Sequence, residues 1–280
     1  MRDFTSDMFS AFLDSFKKAG YSFLTYEQSL CSPTGRFVIL RHDIDKHPSN
    51  ALRMARLENA KGIEGSYYFR AERDEGEYIR AIAALGHEIG YHYEDLAAAG
   101  GDMQKAKDSF VANLEFFRQF YPVSTICMHG SPVSKFDNRL IWAYNDYHDF
   151  KIAAEPYFDI DVTDILYLSD TGRRWDGSAS IRDRSGIRSA GTIVPEWNQW
   201  RVVPPANSMI RDSEHLSLQA KYNFKTTTEI MDATTAGEMP GRIMINIHPQ
   251  RWNDNFIRWS EEYITQNIKN IVKRIIKTAS

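Results

Sequence analysis

Phe37-Val38-Ile39-Leu40-Arg41-His42-Asp43-Ile44-Asp45 is the stretch on which the fold turns. Its four leading apolar residues read as a buried strand. The run then becomes abruptly polar, with Arg41, His42, Asp43 and Asp45, and His47 two positions on. Residues two apart on a strand point to the same side, so Asp43 and Asp45 are expected to face one cavity. Like charges that close are unfavourable unless a metal, an arginine or a shared proton compensates. The stretch therefore points to metal-assisted or acid/base chemistry.

Working outward, Pro48 opens a helix that Gly62 stops. A strand follows over 65–70, a helix over 75–85 and a short strand over 87–92. Asp102 caps a helix with Phe110, Leu114 and Phe117 on one face, and a strand covers 124–128. This alternation calls for an α/β fold with a mainly parallel sheet and right-handed crossovers. Further short strands are expected at 151–154 and 165–168, and a buried one at Ile243-Met244-Ile245-Asn246-Ile247. Ile264, Ile268, Ile271 and Ile275 define a final amphipathic helix. Phe9, Phe12, Leu13 and Phe16 define a first one, capped by Ser6 or Asp7 and packed outside the main body within residues 1–20. Residues 170–207 lack periodicity and read as long loops beside the site. With no repeat and no linker, the expectation is one domain over 1–280.

The chain has 280 residues, a net charge of -3, 25% charged and 42% hydrophobic residues. That suits a soluble globular protein the size of one α/β barrel. The near-neutral balance gives no support for a nucleic-acid partner. Cys31 and Cys127 form no metal-type pair and no disulfide framework. No apolar run is long enough to span a bilayer, and the N-terminus lacks the pattern of a signal peptide. A cytoplasmic location is the expectation.

In parallel α/β folds the site lies at the carboxyl ends of the strands. The polar residues following the strands are Arg41, His42, Asp43 and Asp45; Arg70; His92, Glu94 and Asp95; His129 and Ser131; Asp170; and His248. Asp, His and one further N or O ligand suit zinc or a similar divalent ion. A neighbouring carboxylate would take a proton from water and a histidine opposite would protonate a leaving group. That describes a hydrolase of amides or esters. Phosphate-cradling and serine-elbow motifs are both missing from the sequence.

These residues resemble the polysaccharide deacetylases of the NodB-homology class, carbohydrate esterase family four. His42-Asp43-Ile44-Asp45 is similar to the Asp-x-Asp form of that family's first motif. Gly65-Ser66-Tyr67-Tyr68-Phe69 and Gly86-His87-Glu88-Ile89-Gly90-Tyr91-His92 are similar to two further segments, and Ile247-His248-Pro249 resembles the late Leu-His motif. Cys127-Met128-His129-Gly130-Ser131-Pro132 and the stretch 170–175 match more loosely. The resemblance implies a distorted (β/α)7 TIM-like barrel acting on an N-acetylated or acylated carbohydrate. It implies Asp43 as general base, His248 as acid, and Asp45 and His92 as ligands of a divalent metal, expected to be zinc. Arg41, His42, Arg70, His129, Asp170, Arg174 and Trp175 would bind substrate or support the site.

One departure is plain. The family's second metal histidine lies four residues after the first, where this chain has Leu96. Glu94 or Asp95 could replace it, another strand could supply the ligand, or the metal could be absent. Glu94 shares a side with His92 in an extended chain and is the expected ligand. Two alternatives to a metal-dependent deacetylase follow: a metal-independent hydrolase of small cyclic amides, and an inactive barrel that binds glycans or a partner. Other readings also stay open. His129 could stabilise a turn, Arg173, Arg174 and Trp175 could sit on a solvated loop, and Trp197, Trp200 and Trp252 could stack on sugar or close the barrel.

Overall fold

Among the described residues, seven parallel strands make one sheet: β1 (Ser22–Leu24), β2 (Phe37–Ile44), β3 (Ser66–Phe69), β4 (Glu88–Tyr93), β5 (Ile126–Met128), β6 (Leu166–Ser169) and β7 (Arg242–Ile247). The structure, a computed structural model, describes every residue except 1, 73, 132–133, 177–186, 188–192, 212–217, 219–220 and 280, and only the backbone of 271–279. The strand order is β5-β4-β3-β2-β7-β6, with β1 beside the first half of β2. The longer helices are α1 (Ser6–Lys18), α2 (Pro48–Ala60), α3 (Gly76–Ala83), α4 (Met103–Arg118), α5 (Thr227–Thr235) and α6 (Phe256–Ala279). The architecture is α/β, a parallel sheet curled into a half-barrel with helices around it. It agrees with the distorted TIM-like barrel expected from the sequence.

All eight residues of β2 are buried, as befits a central strand covered on both sides. On its outer face Val38 and Leu40 continue into Leu166, Leu168, Ile243, Ile245 and Ile247. Met8, Phe9, Phe12, Leu13 and Phe16 of α1 and Ile230 of α5 pack over them. Each such side chain contributes about 1.5–3 kcal/mol by leaving water. On the inner face β2 carries Ile39, Arg41 and Asp43. Arg41 is in register with Asn246 of β7 and Ser66 of β3, and Asp43 with Tyr68. The inner layer turns polar towards the carboxyl ends of the strands, where the site forms.

Some local expectations change. Thr5 rather than Ser6 or Asp7 caps α1, its Oγ1 accepting from the Met8 amide at 3.3 Å. Ser6 is the first helical residue, and its hydroxyl donates to Asp254. Residues 151–154 form no strand: Lys151 takes a φ of 58° after a 3-10 turn, which breaks the extended run, and only Ala154 bridges to Thr125. Helix α5 was not anticipated, although Thr226 and Glu229 form a capping box at its start. No helix among the described residues is long and apolar enough to cross a membrane.

Candidate metal and hydrolytic site

The segment Gly86-His87-Glu88-Ile89-Gly90-Tyr91-His92 shows how the sequence builds one wall. Alternation sends Glu88, Gly90 and His92 inward, and Ile89, Tyr91 and Tyr93 outward, where Tyr91 packs tilted and Tyr93 edge-on against Phe110 of α4. Glu88 accepts from Ser66 at 2.6 Å and from Thr125, tying β4 to its neighbours. Gly90 lies under the ring of Tyr68, where a Cβ would come within 2.3 Å of Cε1. His92 then stands at the strand end with Nδ1 3.0 Å from the Cys127 carbonyl oxygen. A carbonyl can only accept, so Nδ1 carries the proton and Nε2 faces the cavity as a lone pair.

Asp43 lies on the next wall. Arg41 grips both of its oxygens, Nε to Oδ1 at 2.9 Å and Nη2 to Oδ2 at 2.6 Å, and Asn246 donates to Oδ2 at 2.9 Å. Burial alone would raise the Asp43 carboxyl. The Arg41 guanidinium and nearby His92 outweigh it and hold the group well below the usual carboxylate range. Asp45 follows in a tight turn, its amide donating to the Asp43 carbonyl at 3.2 Å, which swings its side chain back over the cavity. Gln250 Nε2 donates to Asp45 Oδ2 at 3.0 Å.

The other oxygen of Asp45, Oδ1, is buried and has no hydrogen-bond partner among the described residues. His92 Nε2 and His129 Nε2 each stand 3.6 Å from it, and the three atoms lie within 4.8 Å of one another. Bonds of about 2.0–2.2 Å at tetrahedral angles place ligand atoms about 3.4 Å apart. An orphaned carboxylate oxygen facing two imidazole nitrogens at nearly that spacing fits a divalent ion. His129 follows β5, its amide extending the β4 ladder to the Tyr93 carbonyl at 2.8 Å. Two residues past Cys127, the partner of His92, it points to the same side.

Glu94, the ligand expected from the sequence, does not join this group. Arg70 holds its Oε1, and Oε2 is 2.7 Å from His129 Nδ1 and 3.2 Å from the Ser131 hydroxyl. Burial would raise Glu94, but His129 and Arg70 bring it down to about 2. Asp95 is also engaged elsewhere, accepting from Tyr91, Ser109 and Asn113. Leu96 is buried in the apolar core.

Opposite, Asp170 fixes His248. Its oxygens take His248 Nδ1 at 2.6 Å, the His248 amide at 3.0 Å, Arg251 at 2.6 Å and Trp252 Nε1 at 2.9 Å. Burial pushes Asp170 up, but Arg251 and His248 outweigh it and the carboxyl ends below its ordinary range. His248 stands two residues after Asn246, which donates to Asp43, and two before Gln250, which donates to Asp45, so it leaves β7 beside the same two carboxylates.

Several expected residues lie away from this cavity. His42 is on the outer face of β2, its ring stacked on Tyr67 at 4.1 Å and Nε2 2.9 Å from Glu58, which His87 also approaches at 3.7 Å. Trp175 is buried against Phe4, Phe12 and Trp252, with Nε1 on Thr227. It is part of the core beneath α1, because an indole with its N–H satisfied gains more by burial there than in water. Arg174 pairs with Asp176. Trp252 is buried and supports Asp170, while Trp197 and Trp200 pack on each other. Residues 177–186 and 188–192 of the expected long loops lie outside the described residues. Asn246 and Gln250, not singled out in the sequence, complete the supports. Asn246 was visible as the one polar residue in the apolar run of β7.

No family model matches the chain, and no curated protein does. Solved structures resemble it. A CE4 family pseudoenzyme from Bacillus anthracis is 10% identical, with a TM-score of 0.42 over 86% of this chain and 62% of that one. A CE4 esterase from Streptococcus mutans is 10% identical, with a TM-score of 0.43 over 94% and 91%. The catalytic domain of a peptidoglycan N-acetylglucosamine deacetylase from Eubacterium rectale is 11% identical, with a TM-score of 0.42 over 84% of each chain. The match thus spans less than two thirds of the length of the pseudoenzyme chain.

Proposed function

We propose that this protein is a metal-assisted hydrolase of amide bonds, removing the acyl group from an N-acylated carbohydrate. The observation that carries the reading is the convergence of Asp45 Oδ1, His92 Nε2 and His129 Nε2 on one point. The carbohydrate substrate comes from the resemblance of the motifs to polysaccharide deacetylases. Asp45, His92 and His129 would hold the ion, with zinc favoured by two imidazoles and a carboxylate. Such an ion, when bound, polarises the acyl oxygen and lowers the pKa of water.

The protein's own groups supply the proton transfers. Arg41 and Asn246 keep Asp43 ionised and aimed, so it can accept a proton from the attacking water. Water adds to the acyl carbon, the C–N bond breaks, and the acyl group leaves as a carboxylic acid. Asp170 holds His248 by Nδ1, which leaves Nε2 to deliver a proton to the departing nitrogen. The carboxylate behind the imidazole fixes the ring's orientation, as a positioned general acid requires.

The test is release of acetate from N-acetylglucosamine oligomers by the purified protein, before and after chelation and on return of zinc. Release that depends on zinc supports the reading. Release that survives chelation favours the metal-independent alternative, and zinc uptake without release favours the binding-only one.

A further inference from the structure

We infer that Glu94, braced by Arg70, is the positioning residue that makes His129 a usable metal ligand in place of the histidine missing at Leu96. The inference rests on the metal reading above. A neutral imidazole has one N–H and one lone pair, and the partner of one nitrogen decides which is which. Glu94 Oε2 lies 2.7 Å from His129 Nδ1. An ionised carboxylate can only accept, so the proton sits on Nδ1 and the lone pair of Nε2 faces Asp45.

The brace is specific in its geometry. Arg70 spends both Nε and Nη2 on Oε1 of Glu94, which leaves Oε2 for His129. The Ser131 hydroxyl reaches the same oxygen at 3.2 Å, and Asn138 donates to Ser131 Oγ at 3.1 Å and to the His129 carbonyl at 2.9 Å. Ser131, at a φ of 35°, takes a left-handed conformation that a non-glycine residue keeps only where its surroundings impose it, and from there its hydroxyl meets Glu94.

His92 and His129 differ in what they need. His92 lies within β4, laddered to β3 and β5, and a carbonyl suffices to set its tautomer. His129 lies just past β5, a three-residue strand, with one ladder bond of its own to β4. A ligand on so short a support needs a charged partner to fix the ring. Glu94, two residues after His92, supplies it from the neighbouring strand.

The experiment uses the full chain, metal-free, as wild type, Glu94→Ala and Glu94→Gln. Zinc affinity is measured by competition with a chelating dye. The His129 tautomer is read from imidazole nitrogen shifts at a pH where the ring is neutral. The expected results are an Nδ1–H tautomer for His129 in the wild type, about 10–100-fold weaker zinc binding in Glu94→Ala, and recovery of most of that loss in Glu94→Gln, whose amide oxygen still accepts. In Glu94→Ala, His129 becomes a tautomer mixture while His92 keeps its proton on Nδ1. Wild-type zinc binding that is untouched by Glu94→Ala overturns the inference and leaves the metal reading standing. Absence of zinc binding in the wild type overturns both. If Glu94→Ala does not fold, the wild-type tautomer decides: an Nε2–H form overturns the inference.

Discussion

Asp45 and His129 meet at 3.6 Å although they follow strands separated by two others in the sheet. Three strand spacings of about 4.8 Å make about 14 Å in a flat sheet. Curvature closes that gap, so the site is a property of the curled sheet and not of any one strand.

The ligand set gives the first prediction. His129→Ala should weaken zinc binding as severely as His92→Ala, and beyond the roughly 10–100-fold loss of an outer partner. Leu96→His should restore nothing. Leu96 is packed in the apolar core, and a polar ring there costs about 1–3 kcal/mol. Metal content and thermal unfolding of the three variants check this.

The Arg41–Asp43 pair gives the second. Asp43→Asn should lower turnover by about 10²–10⁴-fold, the usual share of general acid–base catalysis. It should also destabilise the fold by about 3–5 kcal/mol, because a buried guanidinium loses its counter-charge. The double variant Arg41→Leu/Asp43→Asn should recover much of the stability and none of the turnover. Denaturant unfolding alongside acetate release separates the two effects.

Acid stability gives the third. Asp43 and Asp170 both have carboxyls held below their ordinary range by cations. The unfolded chain therefore binds more protons than the native one at low pH. The stability these groups contribute is complete above a pH of about 4 and is lost as pH falls towards their depressed native values. Urea unfolding should show a steep fall below that point. Asp170→Asn should be less stable at neutral pH and show a shallower fall.

Much of this arrangement was legible in the chain. The alternation of apolar runs with helical periods gave the parallel α/β sheet, and the rule that sites gather at strand ends drew attention to Asp43, Asp45, His92, His129, Asp170 and His248. What the sequence left open was which groups meet. Spacing along the chain favoured Glu94 because it lies two residues from His92, whereas His129 is far away in sequence and adjacent only through sheet curvature. Trp175 looked like a substrate contact because the stretch 170–175 loosely resembles a family motif. Its burial depends on α1 folding over it, a long-range contact that leaves no local mark. The strand expected at 151–154 failed for a local reason, the left-handed Lys151.

Gly90 gives the fourth prediction. Gly90→Ala would set a methyl group 2.3 Å from the Tyr68 ring and 3.1 Å from the Thr125 carbonyl oxygen. Overpacking of this kind costs about 1–3 kcal/mol. The shift of β4 needed to relieve it would also move His92. Reduced melting temperature together with weaker zinc binding is expected. Tyr68→Phe, which keeps the ring, should not relieve the clash in a double variant.

The polar cluster behind β2 has a consequence for how the chain finds its alignment. Phe37-Val38-Ile39-Leu40 is apolar on both faces, so greasiness alone does not tell one face from the other. Slippage by one residue exchanges the faces of a strand. Here it would turn His42 into the cavity and set Asp43 beside Glu58, carboxylate against carboxylate in a dry interior. The in-register chain gives Glu58 an imidazole and Asp43 a guanidinium. The two buried polar pairs, one on each side of the strand, act as a key that admits a single pairing of β2 with its neighbours.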